Sequence, residues 1–385
     1  MPIHERIASL SAVMTEWRQH LHAHPETAFE EHRTADFVAD RLAEFGIGVH
    51  RGLASTGVVG SVSTGPGPTI ALRADMDALP IAEHGEAPYR SRHAGKMHAC
   101  GHDGHMAMLL GAARYLAETR RFRGTVHFIF QPAEENAGGA RVMVEEGLFR
   151  AFPADRVYGM HNFPGLPAGV IAVRAGPIMA ACDVFRITVR GRGTHAAMPQ
   201  FGTDCVVAAA AIVIAVQTIV SRSLDPVDAA VISVTQIQAG DTSNVIPDHA
   251  ILIGTSRSFR PEVQDEIERR LAHIVASVAA AHGCSAELHY DRHYPPTINE
   301  ADATERAARA AAEVVGEENV LRQVPPTMGA EDFSFMLRER PGCYVWIGGG
   351  RGDDCSLHNP GYDFNDAILA IGASYWAALI ERELA

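Results

Sequence analysis

The sequence predicts an α/β fold in which a domain with a mostly parallel sheet flanked by helices is interrupted by a smaller ferredoxin-like βαββαβ domain. Three observations predict it. The β-rich runs TIALRAD, GTVHFIF and RVYGM each lead into acidic or imidazole residues and are separated by helical stretches, as in a parallel sheet whose strand ends share one edge. From Pro177 the pattern changes to β-α-β-β-α-β over roughly 115 residues, the order of a ferredoxin-like unit. At 385 residues the chain also exceeds what one hydrophobic core usually supports. The implied boundaries are 1–176 with 294–385 for the larger domain and 177–293 for the smaller.

In chain order, the N-terminal stretch ending in WRQHLH reads as a helix that carries charges throughout, which does not fit a signal peptide. A second helical stretch closes at Gly46, a C-cap residue. His20, His22 and His24 alternate, and residues two apart on a helix point to nearly opposite sides, so they do not make a metal site there. TIALRADMDALP is a strand feeding Asp75 and Asp77 into its C-terminal end, where open α/β sheets build sites. The alternative is a turn cap.

Residues 97–105, MHACGHDGH, hold one thiol, Cys100, among His98, His102 and His105, with glycines at 101 and 104. Cys and His bind borderline-soft divalent metals, so this loop-to-helix junction is a candidate metal site, with Asp103 placed to cap the helix that follows. A small structural zinc site, or buried side chains with satisfied hydrogen bonds, are the rival readings. A strand over 125–130 then runs into Glu134 and Glu135, and RVYGMHNF delivers His161. Three strand ends bearing metal-competent residues on one sheet edge favour a single site. In the smaller domain the apolar run 205–216 is shorter than a bilayer span and reads as a buried helix. Beyond it, CYVWIGGG is a buried-type strand, His358 follows in the loop SLHNPGYDFND, and a final helix begins near 366.

A net charge of −13 without a long basic run excludes nucleic acid and anionic membranes as partners and leaves a small molecule. Six cysteines without paired spacing suit a reducing cytoplasm. No G-x-S-x-G elbow occurs, which disfavours a serine hydrolase.

The blocks ALRADMDALP, MHACGHDGHMA, QPAEE, GMHNFP, GTHAAMPQFGTD, SNVIPD, GAEDFS and LHNPGYDFND resemble, in order, the signature blocks of the di-metal aminoacylase and carboxypeptidase superfamily. They are most similar to the branch containing hippurate hydrolase, N-acyl-amino-acid amidohydrolases and indole-acetyl-amino-acid hydrolases. The resemblance implies a catalytic domain that holds two divalent metal ions per subunit through Cys100, His102, Glu135, His161 and His358, with Glu134 as catalytic base. Manganese or zinc heads the list of metals, and cobalt and nickel are alternatives. Where the wider superfamily has a metal-binding histidine, this chain has Asp75, so Asp75 is left out of the ligand set and Asp77 is expected to orient the ligands.

In the smaller domain the resemblance implies that His195 donates to the oxyanion from the partner subunit of a homodimer joined through this lid domain, and that Asn244 and Arg257 hold the substrate carboxylate. A surface histidine and a structural ion pair are the respective alternatives. The expected activity is hydrolysis of an N-acyl amino acid. A deacetylase of an acetylated biosynthetic intermediate, a dipeptidase and a non-catalytic metal-binding dimeric scaffold are the competing readings.

Overall fold

A computed structural model describes residues 5–352 and 355–385. The chain packs as two compact units, one of Met1–Gly176, Ile298–Pro325 and Asp332–Ala385, the other of Pro177–Thr297 with Pro326–Glu331. All six cysteines are free, and only Cys355 is exposed.

The larger unit is built on an eight-stranded sheet. In chain order its strands are β1 Gly48–Leu53, β2 Gly57–Ser63, β3 Thr69–Asp75, β4 Thr125–Gln131, β5 Arg156–Pro167, β6 Ile171–Ala172, β7 Val320–Leu321 and β8 Gly342–Gly350. The spatial order is β1-β2-β4-β3-β5-β8-β6-β7. The four central strands β4, β3, β5 and β8 run parallel, while β1, β2 and the β8–β6 pairing are antiparallel. Central strands covered on both faces are buried and largely apolar. Accordingly, six of the seven residues of β3 and of β4 are buried.

The helix His102–Thr119 buries fourteen of its eighteen residues against β3 and the helices Ser11–Ala23 and Leu369–Glu383. Met106, Met108, Leu109, Leu110 and Leu116 are fully buried there. At about 1.5–3 kcal/mol per such side chain, packing anchors this helix firmly, so the imidazoles at its first turn sit on a rigid support. Gly46 follows the helix His32–Glu44 with a φ of 74°, the left-handed cap its sequence position implied.

The smaller unit has a four-stranded antiparallel sheet in the order Ala230–Ala239, His249–Ser258, Ala181–Arg190, Ser285–Tyr294. With helices Cys205–Thr218 and Pro261–Ala281 packed on each other, the connectivity is ferredoxin-like. Reading the apolar run at 205–216 as a buried helix needs correction. Its inner stripe, Cys205, Ala208, Ala209, Ile212 and Val216, is buried, whereas Val206, Val207 and Ile214 are exposed, Ile214 by 73%. The run is also longer than it reads. A π-helical turn, Ile219–Ser223, extends it to 19 residues, enough by length and composition to cross a membrane, with a third of that span buried. Hydropathy counts apolar residues but not how many sides of a helix the fold covers.

Candidate metal centre

The loop 97–101 and the first turn of helix His102–Thr119 place the thiol and imidazoles. Gly101 makes that turn with a φ of 93°, and a Cβ there would collide with the side chain of Asn162. The Nδ1–H of His102 donates to the backbone carbonyl of Asp77 at 2.8 Å, which leaves Nε2 as the lone-pair nitrogen. That Nε2 is buried and has no hydrogen-bond partner. His161 is fixed the same way. Its Nδ1–H donates to the carbonyl of Asn162 at 2.7 Å, and its Nε2 faces the Sγ of Cys100 at 3.3 Å. His161 lies inside β5 rather than after it, because the strand continues to Pro167.

The second acidic pair sits where β4 gives way to a short helix, Glu134–Ala137. The two glutamates are therefore about 100° apart around a helical turn, not on opposite sides of an extended loop. Ala133 before them is left-handed with a φ of 56°, which costs a residue other than glycine about 1–2 kcal/mol. Asp77 grips the turn from beneath, taking the N–H of Glu134 on Oδ1 at 3.0 Å and that of Glu135 on Oδ2 at 2.9 Å. Oε1 of Glu135 is 3.1 Å from Nε2 of His358 and 4.0 Å from Nε2 of His102, yet it makes no aligned hydrogen bond. Short separations without hydrogen-bond alignment are what side chains aimed at a common ion show.

His358, in the loop after β8, also has a left-handed backbone, with φ 63°, and its N–H donates to the carbonyl of Ala99. A non-glycine residue held there marks a position that the surrounding structure enforces. Its side chain is 51% exposed, so the centre opens to solvent at this edge.

Among the described residues, sets of ligand atoms within 4.8 Å of one another include three that overlap here: Asp75, His102, His105 and His161; Cys100, Glu135 and His358; and His102, Glu134 and Glu135. Cys100, His102, Glu135, His161 and His358 thus form one contiguous group with Glu134 beside it. The donor set fits divalent cations. Without one, burial and the carboxylates of Glu135 and Glu134 push the Cys100 thiol well up. Burial and His105 push His161 well down, while Asp75 and Asp77 overcome burial to lift His102 to about 10. A dication inverts the preferences of Cys100 and His102, favouring thiolate and neutral imidazole, and suits His161, which burial already keeps neutral.

The reading from sequence left two participants unassigned. His105, one of the imidazoles of the 97–105 cluster but outside the expected ligand set, stands three residues after His102 on the same helix face. Both of its nitrogens are engaged, Nδ1 with Asp75 Oδ1 at 2.6 Å and Nε2 with Asn162 Oδ1 at 2.6 Å. Asp75 spends its other oxygen on Arg73 at 2.8 Å, so both residues brace the centre. Asp103 was expected to cap its helix. Instead its Oδ2 meets Nδ1 of His22 at 2.8 Å and Nη1 of Arg18 at 3.7 Å, all three buried. His20 and His24 stay apart from this cluster, the Nδ1 of His24 bonding the carbonyl of His20.

In the smaller unit the strand Thr194–His195 pairs with Val245–Ile246, which brings His195 beside Asn244: Ala196 N–H donates to the Asn244 carbonyl. Nδ1 of the exposed His195 accepts the N–H of Ala197 at 3.1 Å, leaving the Nε2–H tautomer free to donate. Arg257 is not with them. It lies near the far end of strand His249–Ser258, roughly 27 Å along from its start, and donates to Thr255 and Ser256 of its own strand. One copy of this unit therefore does not bring Asn244 and Arg257 onto the same carboxylate.

Comparison with known proteins agrees with the blocks read from sequence. Hippurate hydrolase of Campylobacter jejuni is 39% identical over 379 residues, covering 98% of each chain. The IAA-amino acid hydrolase ILR1-like 2 of Arabidopsis thaliana is 40% identical over 380 residues, covering 96% of this chain and 85% of that one. Among solved structures, the YXEP protein of Bacillus subtilis, described as a dinuclear metal binding peptidase from the M20 family, superposes with a TM-score of 0.86 at 34% identity, over 98% of this chain and 99% of that one. The model of peptidase family M20/M25/M40 matches residues 71–382. That span takes in every residue of the centre, and the chain accordingly belongs to peptidase family M20/M25/M40 as an amide-bond hydrolase.

Proposed function

We propose that the protein is a metal-dependent amidohydrolase that cleaves N-acyl amino acids of the hippurate kind into a carboxylic acid and a free amino acid. One observation carries the reading: ligands from four separate segments converge in one unit, with Glu134 at the same cluster. The names of the relatives supply the substrate class. Thiolate, imidazole and carboxylate donors suit manganese or zinc, with cobalt or nickel as alternatives. Two such ions would supply Lewis-acid activation of a water and of the scissile carbonyl.

The chain's own groups do the rest. Glu134 takes the proton of the attacking water and returns it to the leaving amine. Asp77 holds Glu134 and Glu135 by their backbones, so the base and the ligand keep separate directions. His195, with an Nε2–H to give, serves as donor to the developing oxyanion of the partner subunit's site, and Asn244 and Arg257 hold the substrate carboxylate. A homodimer resolves the separation of Asn244 from Arg257. The exposed apolar side of helix Cys205–Thr218 and the edge strand Ala230–Ala239, with Ile237 exposed, are the surfaces assigned to it. Free thiols, one of them a ligand, fit a cytoplasmic enzyme.

The experiment is a panel of N-benzoyl, N-indoleacetyl, N-acetyl and longer N-acyl amino acids, assayed after chelation and after addition of a single defined metal. Hydrolysis lost on chelation and regained with metal is expected. Full turnover by the chelated protein would remove the metal from the reaction and overturn the reading.

A further inference from the structure

We infer that Glu31 is a positioning residue for the catalytic turn, holding the left-handed Ala133 in place and thereby aiming Glu134 and Glu135. The inference rests on the amidohydrolase reading for its kinetic part only. Glu31 is fully buried and belongs to a segment, PETAFEEH, to which no role has been given so far. It precedes the helix His32–Glu44 at the N-cap position, where a carboxylate ordinarily accepts from the first turn of its own helix. It makes no such bond. Its Oε1 instead accepts the N–H of Ala133 at 2.9 Å, and its Oε2 accepts the hydroxyl of Thr56 at 2.7 Å.

Three successive amides, those of Ala133, Glu134 and Glu135, therefore end on two buried carboxylates, Glu31 and Asp77. Burial pushes the Glu31 carboxyl up to about 7, with Thr56 opposing and Asp77 adding to the rise. A buried acid facing a second acid is unfavourable for folding taken alone, so its place here needs a reason beyond packing. The same segment also holds the loop that carries Asp77, because the N–H of Ala78 donates to the carbonyl of Glu26 at 2.8 Å. Without Glu31, the buried N–H of Ala133 loses its acceptor and nothing from this side opposes relaxation of the left-handed turn. Both glutamate side chains would swing with it.

The test compares Glu31→Ala and Glu31→Gln in the full chain. The quantities are Mn2+ affinity of the chelated protein by calorimetry, kcat and KM on the best substrate of the panel, and thermal melting. Glu31→Ala is expected to bind Mn2+ about 10-fold or more weakly and to lose roughly 100-fold in kcat with little change in KM. Glu31→Gln, whose amide oxygen still accepts from Ala133, is expected to recover most of both. Wild-type affinity and kcat in Glu31→Ala, or a Glu31→Gln as impaired as Glu31→Ala, overturns the inference. If Glu31→Ala does not fold, Glu31→Asp, one methylene too short to reach both partners, is read instead, with loss upholding the inference and wild-type values overturning it. Calorimetry needs no substrate, so failure of the whole substrate panel leaves the Glu31 test readable.

Discussion

Sγ of Cys100 and Nε2 of His161 face each other at 3.3 Å, and the other nitrogen of His161 is already committed to a backbone carbonyl. Burial works against charge on both, raising the thiol and lowering the imidazole, so in the absence of a cation both are neutral. Replacing Cys100 by Ala is expected to cut Zn2+ affinity by more than the roughly 10–100-fold that loss of an outer-shell partner costs. Competition against a chromophoric chelator measures it, and an unchanged affinity removes Cys100 from the ligand set.

Glu134→Gln keeps the shape of the turn and removes the proton acceptor. A loss of about 10²–10⁴-fold in kcat is expected, with Mn2+ affinity near that of the wild type. A Glu134→Gln protein with full turnover would refute its assignment as base.

Asp77 uses both oxygens on the two glutamate amides, so an amide in its place leaves one N–H facing another N–H. Asp77→Asn is therefore expected to lower metal affinity by about 10–100-fold and to lower the melting temperature as well. If only stability fell, with affinity intact, Asp77 would be a fold residue and not an orienter of the centre.

His22 offers a pH signature. Burial lowers its pKa, but bonds to Asp103 and Glu83 outweigh burial and bring it to about 9, so the folded chain holds this proton more tightly than the unfolded one. The resulting stabilisation, on the order of 3 kcal/mol, is complete below the unfolded pKa near 6.5 and is lost as pH rises through 9. Asp103 behaves in the opposite sense. Burial would raise it, yet the bond from His22 holds it well below the usual range, so its contribution is lost only in strong acid. Between pH 6.5 and 9.5 the melting temperature of the wild type should fall more steeply than that of His22→Gln; equal slopes would discount the pair.

Ile214, 73% exposed on a helix of apolar residues, is the most direct probe of the proposed dimer. Ile214→Glu is expected to sediment as a monomer and, if His195 acts in the partner's site, to lose activity in parallel. A wild-type chain that is monomeric at micromolar concentration sinks both expectations.

Much of this architecture is legible in the sequence because it follows from period and position. Apolar runs that end in Asp75, Glu134 and His161 are parallel strands feeding one edge, and the alternation after Pro177 spells out the smaller sheet. What was not legible depends on contacts between distant segments. Glu31 meets Ala133 across 102 positions, and no local pattern announces that bond. Asp103 looks like a cap until His22 and Arg18 arrive from another helix. The side of helix Cys205–Thr218 that remains uncovered is likewise set by what packs on it rather than by its composition.

The uneven exposure of the thiols has a practical consequence in bioconjugation. Cys355 is the one exposed thiol, whereas Cys100 is buried and its upward-shifted pKa keeps it protonated and a poor nucleophile even when no ion shields it. A maleimide dye or spin label would therefore alkylate Cys355 first. The native chain comes with a single preferred attachment point, and a reporter can be fixed to it without engineering away any of the other five cysteines.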